Sequence, residues 1–600
     1  MVNMSERLGE ELAVNGLVDS RRAAELLGIS VNTFKVWASR SQSVKSGVAS
    51  DMPKPVATMH GRVYLLEDIE EFGRKIAMSA RAPRTAEREA GRYFTPDVAA
   101  DCMTRWALRA EGDVILEPSV GDGQFALAVQ RYGRSRGWKK LVLHACELDS
   151  DVAAKAVASG AVDSSYLHVG DFLGDAALSK VDVVIGNPPF VRVRELDAVL
   201  KANALSASKR AMGVQMDKSG SVWMSFVAKA TSLLKEGGRL AFVLPLDFTY
   251  VRYARPLWEY LSKTFGTLSV LRVKQRVFSD ILQNVLILFA DRKGGATDTI
   301  RFIARDALSY DFDVDSAPNV AVSVADVVAG ERVFQRALLS RDTLDVLDQL
   351  TSCSTAADKR VKFSIGYVSG NKSYFHPSSA QQELYGLPDA SLLPTVESSR
   401  QLFGAGVGTR SIPVTAKLWA PKAELTESEK RYVAYGERQG VDMAYKCRIR
   451  SPWYRVPGVR SPDVLLTAFS DRPRLYLNDA SWVASNSVLC GYLRKGESAL
   501  RLLASWYTPL TLLTSELQIH SLGGGVMIAV PREADSVRIL TEESSGELNY
   551  SDLDSALHSN DVLSAYRTGE QAIIDLVGTE GLELVYAGVS ELEAWRKSQS

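Results

Sequence analysis

Val181-Asp182-Val183-Val184-Ile185-Gly186-Asn187-Pro188-Pro189-Phe190 is an apolar run that stops on a proline pair followed by an aromatic residue. The run 181–185 reads as a strand buried on both faces, the pattern of a parallel strand inside an α/β sheet. The prolines fix the backbone and remove two N–H donors, so the turn offers carbonyl acceptors. The Asn187 side-chain carbonyl and the Pro188 backbone carbonyl suit the two hydrogens of one amino group, and Phe190 supplies an aromatic face just beyond. An amino nitrogen held this way has its lone pair freed from conjugation and aimed at an electrophile. No base of tuned pKa is needed first, because the ammonium product sheds its proton readily.

Outward from this strand, further buried-strand runs lie at 114–116, 141–143 and 240–244, with helical stretches at 126–132, 151–158 and 223–234 between them. That alternation predicts a doubly wound α/β domain over about 91–295. The runs 268–273 and 285–289 are expected to add an antiparallel pair at its edge. The first strand leads into Glu117-Pro118-Ser119-Val120-Gly121-Asp122-Gly123, a glycine-rich turn that lets a cofactor approach the backbone at a helix N-terminus. Glu147, in Cys146-Glu147-Leu148-Asp149, stands where an acid can hydrogen-bond ribose hydroxyls. Nicotinamide-dependent enzymes use the same device, so this pair of features alone leaves the cofactor open.

Before this domain, Asp19 or Ser20 caps a helix stopped at Gly28, and Ser30 caps a second one carrying Phe34 and Trp37. With a β-like stretch at 62–66, the order resembles the winged helix-turn-helix of excisionase and MerR-type DNA binders. That resemblance places Asn32, Thr33 and Lys35 at a DNA groove. After residue 300 regular alternation ceases. There Lys446, Arg448, Arg450, Arg455 and Arg460 are interleaved with Tyr445, Trp453 and Tyr454, a composition that suits phosphates and groove edges. Lys+Arg and Asp+Glu are both 71 in 600 residues, so any basic surface is local. The five cysteines form no CxxC pair and no metal cluster is visible, which predicts no zinc site, no disulfide framework and a cytoplasmic location. No signal peptide or membrane span is expected.

Glu117 to Gly123, then Glu147, then Gly170-Asp171-Phe172-Leu173, then Gly186 to Phe190, preceded by Gly91-Arg92-Tyr93-Phe94-Thr95-Pro96, resemble the gamma class of N6-adenine DNA methyltransferases of restriction–modification systems. The resemblance implies a Rossmann-like, S-adenosylmethionine-dependent methyltransferase domain at 81–300 and a mixed target-recognition domain at 301–600, to which the winged helix-turn-helix at 1–80 is an addition. It implies that Thr95 meets the methionine carboxylate of the cofactor, that Glu117, Gly121 and Gly123 line its methionine side, and that Glu147 takes its ribose. Asp171 takes its adenine amino group, with Phe172 and Pro189 packing near that ring. Asn187, Pro188 and Phe190 hold the target base, and Phe278 is the second aromatic of a sandwich around it. The implied partners are double-stranded DNA and a separate restriction endonuclease or other defence subunit, with the chain itself a monomer and no metal required. Cytosine N4, RNA amino groups and protein glutamine are alternative acceptors for the same amide geometry. A DNA-binding regulator with an idle methyltransferase body is the non-enzymatic alternative, and the complete set of site residues speaks against it.

Overall fold

The computed structural model describes residues 17–20, 63–65, 95–174, 178–275, 284–422, 424–522 and 525–598. The chain divides into two units, 1–92 and 93–600. In the first, β1 (Leu17–Asp19) pairs antiparallel with β2 (Val63–Leu65), Leu17 opposite Leu65. Asn32, Thr33 and Lys35 of the expected recognition helix lie outside the described residues.

The second unit begins with α1 (Asp97–Ala107), which buries Ala99, Ala100, Met103 and Trp106 on one stripe. There follow β3 (Val114–Glu117), α2 (Gln124–Ser135), β4 (Val142–Glu147), α3 (Ser150–Ala158), β5 (Leu167–Val169) and β6 (Val181–Gly186). Next come α4 (Ala198–Met212), α5 (Trp223–Leu233), β7 (Leu234–Pro245), α6 (Arg255–Ser262), β8 (Phe265–Val273), β9 (Val285–Lys293), β10 (Thr299–Arg305) and β11 (Val320–Ser323). The nine strands form one sheet in the order β11-β10-β8-β9-β7-β6-β3-β4-β5. Strands β3 to β7 run parallel, and β9 is antiparallel to both of its neighbours.

Alternate residues of each central strand feed opposite layers, as the two-residue period of a pleated strand requires. Val183, Ile185, Ala241, Val243, Ile287 and Phe289 pack towards α1 and α2. Val184, Leu240, Phe242, Leu244, Leu286 and Leu288 pack towards Trp223, Val227 and Trp258 of α5 and α6. Strand order reverses between β3 and β6, because β4 lies on one side of β3 and β6 on the other. Ligands of open α/β sheets bind beyond the carboxyl ends of the strands at such a reversal.

The sheet differs from expectation in two respects. The pair β8–β9 is antiparallel as expected, but it lies inside the sheet: β9 sits between β7 and β8, and β10 and β11 cover the outer side. The sheet accordingly continues to Ser323, past 300, because Ile300, Phe302 and Ile303 supply buried residues around the charged Arg301 and Arg305.

Beyond it, an antiparallel sheet ordered Val361–Ile365, Val488–Leu493, Val464–Thr467, Leu475–Leu477 packs with α7 (Pro509–Gln518) and α8 (Glu570–Lys597), the latter broken at Gly578. Among the described residues no helix is long and apolar enough to cross a membrane.

Arg239 on β7 fixes α1 to the sheet. Its Nε donates to Asp291 Oδ1 of β9 at 2.9 Å, Nη1 donates to the Trp106 carbonyl, and the guanidinium lies 4.8 Å from the Trp106 ring centroid. Among the described residues, Arg239→Ala leaves Asp291 with only the half-exposed Arg109 as a cationic partner. Urea unfolding is expected to show a loss of about 3–5 kcal/mol, the usual penalty for breaking a buried ion pair; a change below about 1 kcal/mol contradicts this role.

Candidate active site

The turn after β3 is built on two left-handed glycines, Gly121 (φ 54°) and Gly123 (φ 87°). A Cβ at Gly123 would stand 2.5 Å from the Ala161 Cβ, so no larger residue fits there. The turn is tied to β4 by the Val120 amide, which donates to the Cys146 carbonyl at 2.9 Å. Glu147 is the knot of the site. Its Oε2 accepts from the Gly121 amide at 3.0 Å, its Oε1 from the Asp149 amide at 3.1 Å, and its backbone carbonyl from the Gly170 amide at 2.8 Å. One residue thus joins the loops after β3, β4 and β5. Asp149 caps α3 by accepting from the Asp151 and Val152 amides, which fixes where β4 gives way to helix.

Glu117 is 1% exposed, and its Oε2 has no hydrogen-bond partner among the described residues. Burial pushes its carboxyl well above the usual range, the charges of Asp122 and Glu147 add to this, and the Ala126 amide opposes it. Asp171 accepts from the Leu173 amide at 2.9 Å and from Asn203 Nδ2 at 2.8 Å. Phe172, next to Asp171 in sequence, is buried. It is 2% exposed, its ring centroid 5.1 Å from that of Phe226 and 5.1 Å from Lys229 Nζ, so its faces serve the core and not an open pocket.

The turn after β6 is joined to the β3 turn and to Thr95. Gly186 pairs with Phe242, and a Cβ on it would press on Pro118 at 3.3 Å. Asn187 Nδ2 donates to the buried Thr95 Oγ1 at 3.4 Å, which directs the amide oxygen away from Thr95. The Asn187 backbone carbonyl accepts from Ser119 Oγ at 3.2 Å. Pro188 is buried, whereas Pro189 and Phe190 are half-buried, and Phe190 touches the apolar layers on both sides of the sheet. On the far side the chain is pinned again: the Val222 amide and Ser221 Oγ donate to the Val191 carbonyl, and the Val193 amide donates to the Gly220 carbonyl. The turn is therefore held at both ends.

The structure thus gathers Thr95, Glu117, Gly121, Gly123, Glu147, Asp171, Asn187, Pro188, Pro189 and Phe190 at the carboxyl ends of β3 to β6. Phe278 lies outside the described residues. Ser119, Asn203 and Lys229 join the site without having been expected there; Lys229 Nζ donates to the Gly174 carbonyl at 2.6 Å. Ser119 stands in the glycine-rich turn, but Asn203 and Lys229 are ordinary helix residues whose role depends on tertiary packing. Among the described residues no group of His, Cys, Asp or Glu could hold a metal ion.

In the C-terminal region Lys446, Arg448 and Arg455 are exposed. Arg450 is corrected: it donates to the Ser369 and Val368 carbonyls at 2.9 and 2.6 Å, and so holds a loop in place of facing solvent. Asn478 and Asp479 are structural too. Asn478 bonds Ser461, Pro462 and Trp482, while Asp479 accepts from Thr409 and Arg410. Gly525 (φ 69°) brings its backbone against α8, where Arg596 donates to its carbonyl.

Comparison with known proteins finds restriction-modification methyltransferases. Residues 153–278 match the family model of the Eco57I restriction-modification methylase, and residues 331–574 match that of the type II methyltransferase M.Eco57I, C-terminal domain. The type II methyltransferase M.AccI of Acinetobacter calcoaceticus is 20% identical over 397 residues, covering 63% of this chain and 71% of that protein. M.HincII of Haemophilus influenzae is 26% identical over 36% of this chain and 40% of its own length, and M.PaeR7I of Pseudomonas aeruginosa is 26% identical over 44% and 51%. The chain thus spans about half or less of these last two relatives. Among solved structures, the type IIG restriction endonuclease BpuSI aligns over 97% of this chain and 76% of its own, at 13% identity and a TM-score of 0.39. Both family models are matched in order, by residues 153–278 and 331–574, which supports S-adenosylmethionine-dependent, adenine-specific DNA methyltransferase activity of the Eco57I restriction-modification type.

Proposed function

We propose that the chain methylates N6 of an adenine flipped out of double-stranded DNA, with Asn187 and Pro188 holding the amino group and Phe190 stacking on the base. The observation that carries this reading is the doubly pinned turn after β6, tied through Ser119 to the glycine-rich turn that Glu147 holds. N6 is enclosed in the base stack of a duplex, so the nucleotide must leave the helix to reach this turn. Asn187 Oδ1 and the Pro188 carbonyl then accept its two hydrogens and stabilise the charge that grows on nitrogen. Because the turn is fixed before the base arrives, little ordering cost remains to be met in the reaction.

When bound, S-adenosylmethionine supplies an electrophilic methyl group. Its holders are Glu147 for the ribose hydroxyls, Asp171 for the adenine amino group, and Thr95 and Glu117 for the methionine end. Pro189 packs against the adenine, and Gly121 and Gly123 permit close approach. A carboxylate offers about four acceptor positions, so the amide bonds to the two Glu147 oxygens are compatible with ribose hydroxyls there. The unpartnered Glu117 oxygen suits the cationic amino group of the methionine portion.

Residues beyond about 323 serve as the recognition domain, with Lys446, Arg448 and Arg455 among its DNA contacts. Residues 1–80, through Asn32, Thr33 and Lys35, provide a second DNA-binding module. The protein acts as a cytoplasmic monomer, and cleavage of unmodified DNA belongs to a separate endonuclease.

Asn187→Ala should remove single-turnover methyl transfer to DNA while calorimetry shows nearly unchanged S-adenosylmethionine affinity, since the amide acts on the target. A variant that keeps near-normal rates contradicts the clamp.

Glu117 concerns stability as well as binding. The folded state holds its proton more tightly than the unfolded state, so that stability is present below the ordinary carboxylate pKa and is lost as pH rises through the raised value. Glu117→Gln should therefore melt above the wild type, with a gap that widens as pH rises above the ordinary carboxylate range, while binding S-adenosylmethionine more weakly. Equal melting profiles above that range contradict the assignment.

A further inference from the structure

Beyond the end of β7 lies a cavity of about 520 Å³. Arg192, two residues after Phe190, lines it, as do Pro245 at the end of β7 and residues 516–521 and 530–536 of the C-terminal region. Seven arginines and three carboxylates face it, in a chain whose net charge is zero.

Two of the carboxylates are committed to cations, and the third, Asp247, keeps one oxygen without a hydrogen-bond partner among the described residues. Glu516 takes Arg596 at 2.7 Å. Glu533 takes Arg332 at 2.6 Å through one oxygen and His520 Nδ1 at 2.7 Å through the other. Asp247 accepts from the Tyr253 hydroxyl at 2.9 Å, and the same hydroxyl accepts from Arg192 at 2.9 Å.

Arg252, Arg255, Arg272 and Arg532 are left with no carboxylate at ion-pairing distance among the described residues. Arg272 is the clearest case. It is 7% exposed, its guanidinium lies 4.9 Å from the Trp595 ring centroid, one nitrogen reaches the Trp595 carbonyl at 3.5 Å, and Nε has no partner. Arg255 lies across Gly330, where a Cβ would collide with it, and burial together with Arg532, Arg252 and Arg332 holds its guanidinium below its ordinary range. Gathering unpaired cations around one partly dehydrated space is costly unless an anion shares it. Guanidinium groups in such a cluster match the paired oxygens of phosphate.

We propose that this arginine-lined cavity is a phosphate site, which, resting on the proposed methyltransferase function, receives a backbone phosphodiester of the strand whose adenine enters the Asn187 turn. Held there, the strand is positioned through its backbone, without regard to sequence. A free polyphosphate carries the same chemistry, and the test separates the two sources.

Arg252 and Arg532 are exposed at the rim, so Arg252→Glu and Arg532→Glu are made in the full chain, singly and together. Binding of a fluorescein-labelled duplex of randomised sequence is followed by anisotropy over a salt series, with S-adenosylmethionine titrations as the check on folding. The double variant should lose about tenfold or more in duplex affinity, and its log-affinity slope against log salt should be shallower by about one for each phosphate no longer neutralised. Cofactor affinity should stay unchanged. If duplex binding is untouched but inorganic tripolyphosphate raises the melting temperature of the wild type and not of the variants, the phosphate is a free one. If neither probe distinguishes the variants, the site is refuted. A wild-type chain that fails to bind duplex refutes the proposed DNA substrate, and the tripolyphosphate arm still decides the cavity.

Discussion

A parallel strand in the middle of a sheet must leave its neighbours somewhere, and two consecutive prolines decide where β6 does so. Pro188 and Pro189 have no amide hydrogen, so pairing with β3 and β7 cannot continue past Gly186. The chain has to turn at the place where strand order reverses. What makes the turn useful is that it is not loose: Thr95 and Ser119 hold Asn187 from one side, and Gly220 to Val222 hold Val191 and Val193 from the other. The glycines of the β3 turn, the knot at Glu147 and the approach of Pro118 to Gly186 all depend on this geometry.

Charge is divided about that turn. On the β3–β4 side Glu117, Asp122 and Glu147 lie close enough to raise the Glu117 carboxyl, an acid-rich pocket suited to a cationic cofactor. On the β7 side the balance is reversed, with arginines in excess of carboxylates around the second cavity. A neutral chain thus separates two opposite fields along one edge of its sheet. In the proposed function, the cofactor occupies the acidic side, the DNA backbone the basic side, and the target nitrogen lies between. Both fields disfavour the empty protein, because like charges gathered in low dielectric destabilise it until their ligands arrive.

Much of this was legible in the residues themselves. Val181–Gly186, the glycine turn and Glu147 carry local signals, since proline, glycine and strand-end acids constrain the backbone wherever they occur. The strands β10 and β11 were not legible, because Arg301 and Arg305 interrupt the apolar run and pairing with β8 supplies what the local pattern lacks. The packing of Phe172 and of Arg450 was not legible for the same reason. A ring beside a proposed pocket turned inward to Phe226, and a cation in a basic run was consumed by the Val368 and Ser369 carbonyls. The arginine cavity assembles residues from 192 to 596, a separation no short window of sequence can reveal.

The central claim is that the turn after β6 presents an adenine amino nitrogen for methylation. The direct measurement is to incubate the purified chain with duplex DNA from a methylation-free source and methyl-labelled S-adenosylmethionine, digest the DNA to nucleosides, and identify the labelled product by chromatography and mass. The account predicts label in N6-methyldeoxyadenosine alone. Label in N4-methyldeoxycytidine, or none in DNA while the protein binds S-adenosylmethionine and duplex, would contradict it.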